Sequence, residues 1–365
     1  MDKIKRYVNI HVPVTTCTLR CHYCYITHHR LFGGALPTFK YSPETVRKAL
    51  SKERMGGICL INFCGEGETL LPPKSVDYVK ALLEEGHYVM VVTNATTSKR
   101  FDEIAAFPSE LLKRLFFKFS YHYMELKSKN LLDTFFNNIN KMKNAGASFT
   151  LEAPPSDELI PYIDEMKETA IKNVGAANHV TVARDERVAG KLPILTNMNR
   201  EDYRKTWSVF DSRLFDYKMS IFGVKRKEFC YAGDWIIFVD LDTGNMKQCY
   251  RSHYKQNIFN NPDKPIRFLP IGNNCAEEHC YNGHSFISFG VIPELKNAPT
   301  YTEMRNRVCL DRSEWLQPEM KAFMQGRLYE SNQEYTQQQK FKVNCEVRLR
   351  KPFNLKRIAY GIGIG

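Results

Sequence analysis

The sequence lacks any long apolar run: no stretch approaches the roughly 18 consecutive apolar residues that would suggest a membrane span. The charged start Met1-Asp2-Lys3-Ile4-Lys5-Arg6, with only a seven-residue apolar stretch behind it, does not read as the start of a secreted chain. Eleven cysteines in 365 residues therefore do not read as a secreted disulfide scaffold, and the expected compartment is the reducing cytoplasm. Acidic residues are the minority charge, 40 against 52 Lys and Arg, and the excess is uneven. Lys340, Lys342, Arg348, Arg350, Lys351, Lys356 and Arg357 stand against Glu346 alone, half of the net +12. Such a tail suits nucleic acid, an anionic lipid surface or an acidic partner, and equally a solvated edge. Peripheral contact through it stays open; nucleic acid is not the expected partner. At 43% hydrophobic and 25% charged residues the composition is that of a globular chain with one large domain or two.

A second shortage is local. Cys17-Thr18-Leu19-Arg20-Cys21-His22-Tyr23-Cys24 places three thiols in eight residues, with no fourth nearby. Three thiolates hold three corners of a cuboidal 4Fe-4S cluster and leave one iron open. The competing reading is part of a structural zinc site, which pairs thiols two to four residues apart with a second, distant pair. The CxxxCxxC spacing, with Tyr23 before the last Cys, resembles the signature of the radical S-adenosylmethionine superfamily. That resemblance implies a 4Fe-4S cluster on Cys17, Cys21 and Cys24, S-adenosylmethionine chelating the open iron, and reductive cleavage to a 5'-deoxyadenosyl radical that abstracts hydrogen. It also implies an electron donor such as flavodoxin or ferredoxin.

The chain around this loop alternates strands and helices. Strands are expected at 8–14, 58–64, 88–94, 115–123, 148–153 and 179–185. The helices between them begin with one capped by Ser42 with Pro43 in its first turn, and include 75–85, a stretch of 101–114 broken at Pro108, 131–145 and 158–173. Six βα units imply parallel strands with right-handed crossovers, short of the eight that close a full barrel. The expected fold class is α/β: a partial (β/α)6 TIM-like barrel, residues 1–186, which is the core that the resemblance implies. Buried parallel strands should be apolar throughout. Here Phe117, Phe119 and Tyr121 alternate with Lys118, Ser120 and His122, and Phe149 and Leu151 with Ser148, Thr150 and Glu152. If the apolar set packs on the helices, the barrel interior is polar and suited to a cofactor and a polar substrate.

Cys64-Gly65-Glu66-Gly67-Glu68-Thr69 follows the second strand, where glycines let the backbone approach a ligand closely. Gly67-Glu68 is similar to the centre of the family's Gly-Gly-Glu-Pro-like motif, with Glu66 in place of the first Gly and Thr69 in place of the Pro. Thr93-Asn94 ends the third strand as Thr-Asn does in many members. The resemblance thus implies cofactor contacts at Gly65, Gly67, Glu68, Thr93 and Asn94, with Tyr23 and Ser120 beside them. His122 faces the same end or serves as a hydrogen-bonded structural histidine.

After residue 186 the βα rhythm stops. Residues 187–229 read as an aromatic-rich bridging region; then come Cys230, a strand at 235–240, the turn Asp242-Thr243-Gly244-Asn245 and Cys249, so that a β-hairpin brings Cys230 and Cys249 together. Cys275 and Cys280 follow. Four such thiols suit zinc or a fully protein-ligated 4Fe-4S cluster. Their spacing resembles the SPASM and twitch extensions, and implies a small α+β twitch-like domain, 230–300, with one auxiliary cluster on Cys230, Cys249, Cys275 and Cys280, Cys309 standing by as a substitute ligand. Residues 301–365 read as a C-terminal helix near Glu303–Arg307, a final strand-like run at 341–349, and a basic tail. Since sixteen residues precede Cys17, and peptide-modifying members often carry a recognition domain there, the first expectation is hydrogen abstraction from a small molecule or saccharide. The alternative is a peptide or protein substrate, and the rival class is a zinc-stabilised nucleic-acid-binding protein.

Overall fold

A computed structural model describes residues 2–188, 191–250, 252 and 254–350. The tail residues Lys351, Lys356 and Arg357 and the closing glycines lie outside the described residues.

Six strands, β1 (Arg6–Val12), β2 (Cys59–Gly65), β3 (Tyr88–Thr93), β4 (Leu115–Ser120), β5 (Ser148–Ala153) and β6 (His179–Val180), pair in parallel in chain order. Helices lie between them as expected. Ser42 caps Pro43–Ala49 by accepting from the Thr45 N–H at 3.2 Å, and Pro108 separates Ser98–Ala105 from Ser109–Leu112. The open α/β sheet anticipated from the sequence is therefore present. Its last strand is shorter than 179–185: Thr181 N–H still reaches the Ala153 carbonyl at 3.0 Å, after which Arg184 turns away to bridge Ile194.

The sheet also continues past β1. The hairpin of β7 (Ile236–Asp240) and β8 (Asn245–Lys247) forms with the turn the sequence indicates, but β7 pairs in parallel with β1, from Tyr7 opposite Ile236 to His11 opposite Asp240. With β9 (Lys255–Asn257) the result is one sheet of nine strands, ordered β6-β5-β4-β3-β2-β1-β7-β8-β9.

Register assigns each strand two faces. Val8, Ile10, Ile61, Phe63, Val89, Val91, Phe117, Phe119, Phe149 and Leu151 pack on the helices in one buried core. The opposite face turns into the curve of the sheet and changes character along the strands. Near their starts Tyr7, Leu60, Tyr88, Met90 and Phe116 form a second core with Phe289, Tyr301, Met304, Met320, Phe323 and Leu328 of the C-terminal segment. Tyr88 stacks on Phe323 with ring centroids 3.6 Å apart. Further along stand Asn9, Asn62, Lys118, Ser120, Thr150 and Glu152, so the polar interior inferred from β4 and β5 is real and lies above an apolar plug.

One expectation is corrected. Residues 341–349 form not a strand but most of the helix Gln337–Leu349. The alternation of Phe341, Val343, Cys345, Val347 and Leu349 with polar residues suggests a strand. However, Thr336 and Gln339 make a reciprocal capping box, and the run is flanked by good helix formers. None of its residues is buried, so no sheet face selects the period-two pattern.

The plug carries a stability prediction. Phe323→Ala removes the ring stacked on Tyr88 and should cost about 3–5 kcal/mol, as large-to-small core substitutions do. Urea unfolding followed by circular dichroism should show a lower midpoint; an unchanged midpoint would mean that the C-terminal segment does not close the sheet.

Candidate functional site

The cysteine loop leaves the end of β1 and is held from below by the turn after β2. Gly67 N–H donates to the Val14 carbonyl at 2.6 Å and Glu68 N–H to the Thr16 carbonyl at 3.0 Å. A Cβ on Gly67 would overlap the Thr16 carbonyl oxygen, so this approach requires glycine.

The Glu68 side chain is 2% exposed, and both its oxygens are used within the protein. One accepts from Thr93 Oγ1 at 2.6 Å and Leu70 N–H at 3.0 Å, the other from Asn94 N–H at 2.7 Å. Burial raises its pKa above the usual carboxylate range, against the pull of these three donors. Glu68 therefore fastens the β2 turn to the end of β3. Asn94 extends the chain of contacts, its Nδ2 donating to Thr18 Oγ1 at 3.0 Å and to Cys17 Sγ at 3.5 Å.

Cys17, Cys21, Cys24, Gly65, Gly67, Glu68, Thr93, Asn94, Ser120 and His122 all line one cavity. Tyr23 stands beside it, its O–H donating to His122 Nδ1 at 2.8 Å. Burial lowers the His122 pKa to about 4, which leaves it neutral and able to accept that bond. Burial also pushes the Cys17 thiol up to about 11 and raises Cys21 and Cys24. A larger cavity of about 250 Å³ meets the first at Cys24 and runs down the polar interior past Lys118 and Glu152.

The second set of thiols lies around the segment that follows β7. Cys230 pairs with Gly272, their backbones exchanging bonds of 3.1 and 3.0 Å, and Gln248 beside Cys249 donates to the Leu269 carbonyl at 2.7 Å. Burial, then Cys249 and Cys275, raise the Cys230 pKa; burial, then Cys230, Cys249 and Cys275, raise that of Cys280. The Cys230 and Cys280 thiols thus each feel the charge of the other cysteines of the set. Cys309 is not with them: its Sγ donates to the Val174 carbonyl at 3.4 Å within the helix-packed core. Among the described residues, no three His, Cys, Asp or Glu side chains converge as a single metal ion requires.

Three features escape a reading of motifs. Arg305, fully buried on the helix Tyr301–Arg305, reaches Glu152, whose other oxygen takes Lys118 Nζ at 2.9 Å. Lys218, from outside the six βα units, and Arg184, just past the end of β6, line the same cavity. His11 Nε2 lies 3.2 Å from Glu66 Oε1 and its Nδ1 3.3 Å from Asp240 Oδ2, which explains the glutamate standing where the resembling motif has glycine. Only Glu66 carried a signal, as a departure from that motif.

His11 predicts a pH dependence. Burial works against its charged form, but hydrogen bonds to Asp240 and Glu66 outweigh burial and raise its pKa to about 9. A group whose folded pKa lies above its unfolded value, about 6.5, stabilises fully below that value and loses its contribution as pH rises through the folded one. Melting temperature should therefore fall between pH 6.5 and 9.5 more steeply in the wild type than in His11→Gln. Parallel curves would refute the pairing.

Similarity to known proteins agrees with this geometry. Residues 12–151 match the model of the Radical SAM superfamily. No curated protein matches the chain. Among solved structures, Streptococcus suis SuiB bound to S-adenosylmethionine is similar over 71% of this chain and 64% of its own, at 14% identity and a TM-score of 0.50. SuiB bound to the precursor peptide SuiA gives 72% and 64% coverage, 15% identity and 0.50. Native anSMEcpe with bound AdoMet gives 98% and 100% coverage at 14% identity and a TM-score of 0.49. The chain thus spans 64% of the length of the SuiB structures, and at such identities the likeness is one of fold. The stretch that matches the family model runs from the end of β1 into β5.

Proposed function

We propose that the protein is a radical S-adenosylmethionine enzyme that abstracts hydrogen from a small polar molecule or saccharide, with a second 4Fe-4S cluster serving the substrate. One observation carries the reading: Cys17, Cys21 and Cys24 face a single cavity with the Gly65–Thr69 turn and Thr93-Asn94. The fit of a cluster and cofactor there rests on the three thiols without a fourth and on the close approach that Gly67 permits. When bound and reduced, a cluster with one open iron supplies an electron that cleaves S-adenosylmethionine to methionine and a 5'-deoxyadenosyl radical.

The protein's own residues supply position and exclusion. Asn94 donates to Cys17 Sγ and so steadies that ligand. Glu68 holds Asn94, and the Tyr23–His122 bond fixes the aromatic side chain between Cys21 and Cys24. The apolar plug seals the interior below the polar layer, which keeps bulk water from a reactive intermediate. Cys280 is followed directly by Tyr281, Asn282 and His284, which line the lower cavity. A cluster on Cys230, Cys249, Cys275 and Cys280 would therefore lie behind the substrate wall. With all four positions filled by protein it would supply outer-sphere chemistry, taking an electron from a substrate radical, or would hold the C-terminal segment against the sheet. A peptide substrate is the second reading, favoured by the fold shared with SuiB, whose structure contains a precursor peptide. A polar cavity of about 250 Å³ favours the small molecule.

Anaerobic reconstitution should give about eight iron and eight sulfide per chain, the sum of two 4Fe-4S clusters. Changing Cys17, Cys21 and Cys24 to Ala should halve both counts and abolish 5'-deoxyadenosine formation. Zinc without sulfide, or 5'-deoxyadenosine from the triple variant, would defeat the reading.

Cys249→Ala separates the roles of the second site. A redox role yields soluble protein that still forms 5'-deoxyadenosine but does not complete the product. Loss of soluble protein would instead mean that the metal holds the fold together, and wild-type turnover with one cluster would refute both roles.

A further inference from the structure

The lower cavity is lined by charges that do not balance. Lys118, Arg184 and Lys218 face Glu152 and Glu186 around a space of about 250 Å³. Each carboxylate is already paired. Glu152 takes Lys118 Nζ on one oxygen, at 2.9 Å, and the Arg305 guanidinium on the other, while Glu186 takes Arg184 at 3.2 Å. Lys218 is left over. Among the described residues it forms no ion pair, and its amine donates to the Thr181 hydroxyl. His284, on the same wall, keeps a buried Nδ1 with no hydrogen-bond partner.

A buried polar atom without a partner and a half-buried cation without a counter-charge are costly unless something enters to meet them. We propose that this cavity receives an oxyanion of the substrate, a carboxylate or a phosphate, with Lys218 as its principal ligand and His284 beside it. The inference deepens the proposed function and rests on it for treating the cavity as the place where the reacting carbon lies.

The local field agrees. Burial most of all draws the Lys218 ammonium well below the ordinary lysine range; Glu152 opposes this, while Arg184, Lys118 and Arg305 add to it. His284 is lowered by burial and then by Lys218, Arg305 and Lys118. An entering anion relieves all of these repulsions at once. It also accounts for the placement of Arg305, whose guanidinium occupies Glu152 from the plug side and so prevents that carboxylate from neutralising Lys218. S-adenosylmethionine carries a carboxylate of its own, but the proposed function holds it at the open iron above Cys24, so the anion received here belongs to the other reactant.

The test uses the full-length, anaerobically reconstituted protein saturated with S-adenosylmethionine, titrated calorimetrically with inorganic phosphate, with glutarate and with neutral glycerol. One of the two anions should bind and glycerol should not; which anion binds tells phosphate from carboxylate. Lys218→Met should weaken that binding on the order of tenfold or more, as losing a hydrogen bond to a charged group does, and Lys218→Arg should restore part of it. If Lys218→Met does not fold, Lys218→Gln reads the same loss. Binding of neither anion, equal binding of glycerol, or binding indifferent to Lys218 overturns the proposal. So does anion binding seen only when S-adenosylmethionine is left out, which would assign the site to the cofactor's own carboxylate. Failure of the wild type to form 5'-deoxyadenosine would refute the radical reading instead, and would leave the anion result standing.

Discussion

The buried carboxylate of Glu68 is the contact on which the upper site depends. It carries three donors, from Leu70, Thr93 and Asn94, and reaches from the β2 turn to the end of β3. Removing any one partner leaves a desolvated polar group, at about 1–3 kcal/mol. More follows from its position than from its energy. Through Asn94 it sets the donor that meets Cys17, and its own backbone N–H meets the Thr16 carbonyl just before that cysteine. Cysteine loop, Gly67 turn and Thr93-Asn94 end are three segments far apart in sequence that one side chain binds into a single surface.

Below that surface the interior is layered by strand register. Apolar residues near the strand starts are closed by the C-terminal helices, and the next positions carry Lys118 and Glu152. A closed eight-stranded barrel fills its interior with its own side chains. An open sheet of parallel strands cannot, and here the C-terminal segment replaces the missing filling. Because that segment also sends Arg305 to Glu152, the cavity and the apolar plug are served by the same stretch of chain.

What the sequence made legible was whatever is decided locally. The βα alternation, the Ser42 cap, the break at Pro108 and the polar face of β4 each depend on residues within a turn or a strand of one another. So does the cysteine loop, whose spacing is covalent. Pairings across long separations were not legible. Glu152 and Arg305 are 153 positions apart, and His11 and Asp240 are 229 apart; nothing in either neighbourhood names the partner. The C-terminal helix was misread for the opposite reason. Its local alternation was genuine, but the face the helix half-buries is Lys340, Val343, Asn344 and Val347, at helical spacing and across that alternation.

Glu66 shows how a departure from a motif becomes intelligible only in three dimensions. At that position a side chain is free to point away from the Gly67 approach and meet His11 on β1, which in turn meets Asp240 on β7. Asp240 also accepts from the N–H and hydroxyl of Thr243, both at 2.8 Å, and so fixes the turn of the hairpin that leads to Cys249. The turn beside the first three thiols and the hairpin beside the second four are thus joined by one histidine held between two carboxylates. β7 lies parallel to β1, so this link runs across two hydrogen-bonded strands and needs no flexible connection. The turn after β2 and the turn of the β7–β8 hairpin are accordingly held to each other by the sheet itself.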